Sequence, residues 1–122
     1  MKLCWSTLYV KDLDESLKFY QEIVGLKLNK RFKADNHLEI AFLGEGETQI
    51  ELICDKKKKD IFIGDAVSLG FLVDSVEKKM EYLKEKDIKI TSQIIQPNPY
   101  SKFFFINDPN GMKIQFFEDL QG

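Results

Sequence analysis

The chain has 122 residues, 43% of them apolar and 31% charged, with a net charge of -2. That length supports one hydrophobic core without disulfide staples, and that apolar share excludes a disordered chain. Near-balanced charge leaves no basic face, which excludes nucleic acid as a partner.

Two cysteines, Cys4 and Cys54, stand in no CxxC or Cys/His cluster, which argues against a structural zinc site and fits a reducing compartment. Residues Met1 to Trp5 lack the apolar run of a signal peptide, and no stretch is apolar enough to span a membrane. A cytoplasmic protein is expected. The like-charge run Lys56 to Lys59 reads as a solvated loop.

In chain order, Thr7 to Val10 reads as a strand. Asp12 then opens a helix, with Glu15 in capping-box spacing. Leu13, Leu17, Tyr20 and Val24 recur at helical intervals, and Gly25 stops the helix. Strands are predicted over 26–32, 38–43 and 48–54, the last two broken by the turn Gly44-Glu45-Gly46. The order then repeats. Leu69 to Val73 is a strand, and Ser75 caps a helix with Val76, Met80 and Leu83 on its apolar face. Strands are predicted over 88–95, 101–106 and 112–117, with Asn107-Asp108-Pro109-Asn110-Gly111 as a strong turn between the last two.

The two series keep register. Leu13, Leu17 and Tyr20 each lie 63 positions before Val76, Met80 and Leu83, and Ile50-Glu51-Leu52 lies 64 before Ile114-Gln115-Phe116. An offset stable to one residue across a helix and strands indicates a duplicated β-α-β-β-β unit. The fold class is therefore α+β: one domain over 1–122, with halves of about 1–55 and 61–122, whose mixed sheet curves into a cup.

Several stretches resemble the vicinal-oxygen-chelate superfamily (glyoxalases, bleomycin-resistance proteins and extradiol dioxygenases). Leu8-Tyr9-Val10-Lys11-Asp12-Leu13 through Phe19-Tyr20 is similar to its strand, turn and helix signature. Gly25-Leu26 resembles its helix stop, and Asp108-Pro109-Asn110-Gly111-Met112-Lys113-Ile114 resembles its closing turn and strand. In glyoxalase I-like members four side chains hold a divalent metal. Carried over by motif, those positions fall at Trp5, Glu51, Ser68 and Gln115. Only Glu51 keeps the ligand type: tryptophan cannot ligate, serine is a poor neutral ligand, and glutamine offers one neutral oxygen. No cofactor is therefore expected, a divalent metal belonging to the alternative below.

The resemblance and strand alternation together assign a cup side holding Trp5, Thr7, Gln49, Glu51, Ser68, Gly70, Lys113, Gln115 and Phe117. Tyr9 and Phe42 join it, with Tyr100, Phe103 and Phe105 as further aromatic walls. Glu51, the candidate catalytic residue, would need a hydrogen-bonded partner such as Gln115 or Lys113, or would act as a clamp for an amine. Cys4 and Cys54 are expected on the opposite side, as small core residues under the helices. His37, the only histidine, lies in a polar turn and reads as a surface residue. No nucleophile elbow and no phosphate loop is present.

The resemblance implies a homodimeric small-molecule-binding protein with a degenerate metal site, working without metal. The alternative is a metal-dependent glyoxalase I-like lyase or isomerase, resembling lactoylglutathione lyase, with a rearranged site that uses Glu51. A third reading is a dimeric domain whose pocket is closed and unused.

Overall fold

The computed structural model describes residues 1–121. The chain forms two compact units, Met1–Phe62 and a second beginning at Ile63. The first contains β1 (Trp5–Tyr9), α1 (Leu13–Lys18) running on into a π-helical turn (Phe19–Val24), β2 (Leu28–Asp35), β3 (Leu38–Leu43) and β4 (Gln49–Asp55). Its sheet has the order β1-β4-β3-β2, with β1 parallel to β4 and the other pairs antiparallel.

The second unit contains β5 (Ser68–Leu72), α2 (Val76–Glu85), β6 (Ile95–Asn98), β7 (Ser101–Asn107) and β8 (Lys113–Asp119). Its sheet order is β5-β8-β7-β6, with β5 parallel to β8. Each unit is thus the β-α-β-β-β motif that the repeat predicts. In each unit the helix carries the chain from the first strand to the opposite edge of the sheet, and two antiparallel returns then bring the last strand alongside the first, parallel to it.

Both helices begin as their caps dictate. Asp12 Oδ1 accepts from the Glu15 N–H at 3.0 Å, and Ser75 Oγ accepts from the Lys78 N–H at 3.2 Å. Each helix buries one sheet face. In the first unit the buried row is Leu8, Ile50, Leu52, Ala41 and Leu43 beneath Leu13, Leu17 and Tyr20; in the second, Ile114, Phe116, Phe104 and Ile106 meet Val76 and Leu83. These are alternate strand positions, so the intervening residues line the opposite face.

Three expectations need correction. The apolar helix face does not end on Val24: the π turn inserts an extra residue, Ile23 is buried instead, and Val24 is half-buried. The turn closes with the Gly25 N–H donating to the Tyr20 carbonyl at 3.0 Å, five residues back, and Gly25 takes φ 93°. The strand expected over 88–95 forms only at 95–98. Upstream, a bridge joins Ile90 to Ile106; the Thr91 N–H and Oγ1 both donate to the Phe105 carbonyl, and Ser92 Oγ accepts from the Phe105 N–H in place of a backbone carbonyl, each at 3.0 Å. Pro97 is tolerated because β6 is an edge strand. Finally, Cys4 is exposed, since β1 begins only at Trp5; Cys54 is half-buried, its Sγ 3.6 Å from the Lys11 carbonyl.

Candidate functional site

The register of the first sheet sets out its helix-free face row by row. Thr7 on β1 stands opposite Glu51 on β4, Glu51 opposite Phe42 on β3, and Phe42 opposite Lys30 on β2. One position along, Trp5 stands opposite Gln49. The Trp5 ring reaches across β4 to meet Phe42 edge-on, with centroids 5.5 Å apart and planes at 79°. Glu51 is thereby bracketed by Thr7 on one side and by the Trp5–Phe42 pair on the other.

Glu51 is half-buried, and its carboxylate is held from below: Thr7 Oγ1 donates to Oε1 at 2.6 Å. A hydroxyl-to-carboxylate bond of this length is charge-assisted and fixes the rotamer. Thr7, a neighbour on the same sheet, is the partner, where the sequence pointed to Gln115 or Lys113. The signal was available in principle, since a parallel β1–β4 pair places residues of equal parity side by side. None of the ion pairs among the described residues involves Glu51.

The rings on this face carry lysine ammonium groups. Lys30 Nζ lies 4.9 Å from the Phe42 centroid and 5.7 Å from that of Phe32, and Lys58 Nζ lies 4.3 Å from that of Tyr9. Gln49 is oriented by Asn29, whose Nδ2 donates to Gln49 Oε1 at 3.0 Å and to the Gly44 carbonyl at 2.6 Å. Lys30 and Asn29 escape notice in the sequence because β2 reads as an ordinary polar edge strand.

The equivalent face of the second sheet is built differently. Gly70 stands opposite Gln115, and Gln115 opposite Phe105. A Cβ added to Gly70 would come within 3.3 Å of Gln115 Oε1, so the glycine makes room for the amide. Ser68 is exposed and pairs in register with Lys113, whose Nζ sits 4.6 Å from the Phe105 ring centroid. Phe103 meets Phe105 edge-on at 5.7 Å, and Phe117 pairs with Phe103 and Leu72. Tyr100 lies in the β6–β7 turn, 57% exposed.

His37 sits in the β2–β3 turn, half-buried, with Nδ1 2.5 Å from Asp35 Oδ1. It borders a hollow of about 110 Å³ that it shares with Lys33, Asp35, Leu38, Glu39 and Cys54. This hollow lies at the far end of the sheet from Trp5.

The metal expected of glyoxalase I-like proteins does not fit the donor set of this chain. Of the four positions, Trp5 has no lone pair to give, Ser68 and Gln115 are neutral, and Glu51 supplies the sole negative charge while already accepting from Thr7. Among the described residues no three His, Cys, Asp or Glu side chains converge as a ligand group.

Residues 2–116 match the Glyoxalase/Bleomycin resistance protein/Dioxygenase superfamily. The chain is 33% identical over 115 residues to the uncharacterized protein YwbC of Bacillus subtilis, covering 89% of this chain and 90% of that one. It is 30% identical to a lactoylglutathione lyase of Haemophilus influenzae, covering 98% and 93%. A solved glyoxalase I mutant from Zea mays superposes with a TM-score of 0.84 at 28% identity, over 98% of this chain and 48% of the maize chain. This chain therefore spans about half of that relative's length. The chain belongs to the Glyoxalase/Bleomycin resistance protein/Dioxygenase superfamily.

Proposed function

From that membership, we propose that this protein binds a small molecule on the Glu51 face of its first sheet and does so without a metal. The reading rests on Trp5, which stands where the resemblance carries over a metal ligand, and on the engagement of Glu51 by Thr7. A divalent cation repays its dehydration only with several charged or imidazole donors. An aromatic surface with a few fixed polar groups is instead the composition of a small-molecule site. In the second unit, Gly70, Phe105 and Gln115 form the equivalent face, with a neutral amide in place of the carboxylate. A homodimer in the cytoplasm completes the reading. No helix among the described residues is long and apolar enough to cross a membrane.

A second reading has support in the 30% identity to a lactoylglutathione lyase: a metal-dependent lyase or isomerase in which Glu51 is one ligand. Metal content and thermal shift with nickel, zinc, cobalt, manganese and iron separate the two, measured beside Glu51→Gln. No shift dependent on Glu51 is expected. Near-stoichiometric binding of one of these ions, with its stabilisation lost in Glu51→Gln, would establish the lyase-type reading and make a hemithioacetal isomerisation assay the next step. Sedimentation at micromolar concentration checks the dimer, for which twice the chain mass of 14.2 kDa is expected.

A further inference from the structure

Among the described residues no lysine or arginine pairs with the Glu51 carboxylate. We propose that the ligand of this face is an organic ammonium ion, its charged nitrogen set against Glu51 and the exposed Trp5 indole. The proposal rests on the metal-free binding reading and names its ligand class.

Three observations carry it. First, Thr7 occupies one oxygen of Glu51, and no lysine or arginine among the described residues neutralises the carboxylate, so a negative charge stands half-buried on an otherwise aromatic surface. Such a surface repels an anion and gains from a cation, because attraction grows as the dielectric falls. Second, the rings of this face are already used as ammonium platforms by the protein itself, Lys30 over Phe42 and Phe32, and Lys58 over Tyr9. Trp5, the best cation–π surface of the set, has no lysine over it and is 49% exposed. Third, the ring and the carboxylate are fixed together. Trp5 is braced edge-on against Phe42, Phe42 is paired in register with Glu51, and Glu51 is held by Thr7. Thr7 is thus a positioning residue: its hydroxyl holds one carboxylate oxygen and leaves the other without a hydrogen-bond partner on the protein among the described residues.

Lys30 is the competing charge. It sits on the far, edge-strand side of Phe42, two strands from Glu51, and makes no ion pair among the described residues. It limits the site to one ammonium group.

Trp5 is the only tryptophan beside four tyrosines, so fluorescence excited at the red edge, where tyrosine does not absorb, reports from this site alone. The full chain is titrated with benzyltrimethylammonium, with benzyl alcohol as the neutral probe and with benzenesulfonate as the anionic one. Saturable quenching is expected, with benzyltrimethylammonium at least about tenfold tighter than either other probe. Glu51→Gln should weaken it by about tenfold and leave benzyl alcohol unchanged. Thr7→Val, which keeps Glu51 but frees its rotamer, should weaken it by about threefold. Unfolding midpoints within a few degrees of the parent show that both variants are folded. Equal affinity for all three probes would overturn the ammonium assignment while leaving metal-free binding intact. Indifference of the ammonium affinity to both substitutions, or no saturable response, overturns the assignment as well. Glu51-dependent binding of a divalent metal in the preceding experiment would overturn both readings together.

Discussion

The two halves share one topology and one register, yet they secure their equivalent corners by different means. The turn leading into the last strand is the clearest case. In the second half Asp108, 5% exposed, holds it from within: Oδ1 accepts from the N–H groups of Asn110 and Met112, each at 2.8 Å, and Gly111 supplies φ 89°. In the first half the acids of the corresponding turn, Glu45 and Glu47, are exposed, and the turn is held from outside, by Asn29 on β2 and by Thr48 Oγ1 donating to the Leu3 carbonyl at 3.0 Å. The last strand differs in the same spirit. Glu118 of β8 accepts from the Val76 N–H at 2.9 Å, placing a carboxylate at the start of α2, while the position 64 residues earlier is Cys54, which only touches the Lys11 carbonyl. The second half thus relies on buried or half-buried acids for its own architecture. The first half also uses half-buried acids structurally, Glu39 on Arg31 and Asp55 in a turn, but it sets a further one, Glu51, on an open face, where Gly70 and Gln115 of the second half carry no charge. A duplicated scaffold tolerates a change of function in one copy when the fold of that copy does not depend on the group that changes.

Substitutions can break this comparison. The largest effect is expected at the two turns. Asp108→Ala leaves two N–H groups unpaired, one of them on buried Met112, and should cost about 3 kcal/mol, a fall in Tm of roughly 10 °C. Asn29→Ala, with water able to replace its bonds, should cost about 1 kcal/mol. Equal losses in thermal unfolding would mean that the two turns are held alike.

Next come the helix ends. Gly25 has φ 93° and open space where a Cβ would stand, so Gly25→Ala meets backbone strain alone, about 1–2 kcal/mol. The second half ends its helix on Asp87 at φ 57°, a non-glycine residue in the same left-handed region. Asp87→Gly should therefore stabilise, by about 0.5 kcal/mol. Opposite signs in denaturant midpoints sharpen the contrast; equal signs would break it.

The smallest effect lies in the ion pairs that tie each helix to its sheet. Asp14 and Glu77, 63 positions apart, each sit in the first helical turn and bind a sheet cation: Arg31 of β2 at 2.8 Å in one case, Lys102 of β7 at 2.5 Å in the other. Arg31 also binds Glu39 at 2.7 Å, and this hydrogen bond holds the Glu39 carboxyl below its ordinary value. Glu77 is likewise held low, chiefly by Lys102. A carboxylate with a lowered folded pKa stabilises the fold above its unfolded value of 4.5 and loses that contribution as pH falls through the folded one. Arg31→Gln should accordingly cost less than about 1 kcal/mol near neutral pH, and the difference from the parent should narrow as the pH drops below the ordinary carboxylate range. Thermal melts from pH 7 down to pH 2 measure it. A gap that widens in acid would refute the assignment.

Much of this molecule is legible as a string of letters. Asp12, Glu15 and Ser75 announce helix starts because capping is a local hydrogen bond, and the alternation of Ile50, Leu52 and Ile114, Phe116 reports which face is buried because side chains alternate along any strand. The repeat offset is arithmetic. The same arithmetic pairs Trp5 with Ser68 and Glu51 with Gln115, the positions to which the resemblance carries a metal's ligands, and the scarcity of donors among them follows from residue type alone. What stays illegible is of another kind. The π turn at 19–24 defeats a fixed helical period, since its extra residue brings Ile23, with Phe19 and Tyr20, to the buried side in place of Val24. At the delayed start of β6 the Ser92 hydroxyl stands in for a ladder carbonyl towards the Phe105 N–H, a contact that exists only when Phe105 is alongside.

What the chain determined unaided were the elements, their duplication and the residue types available to a site, because each of these depends on groups a few positions apart. Tertiary structure alone decided that Thr7 rather than Gln115 or Lys113 holds Glu51, that Trp5 braces on Phe42 and that Lys30 caps the same ring. Those contacts join residues 44, 37 and 12 positions apart, and they exist only once parallel and antiparallel pairing has set the strands in register.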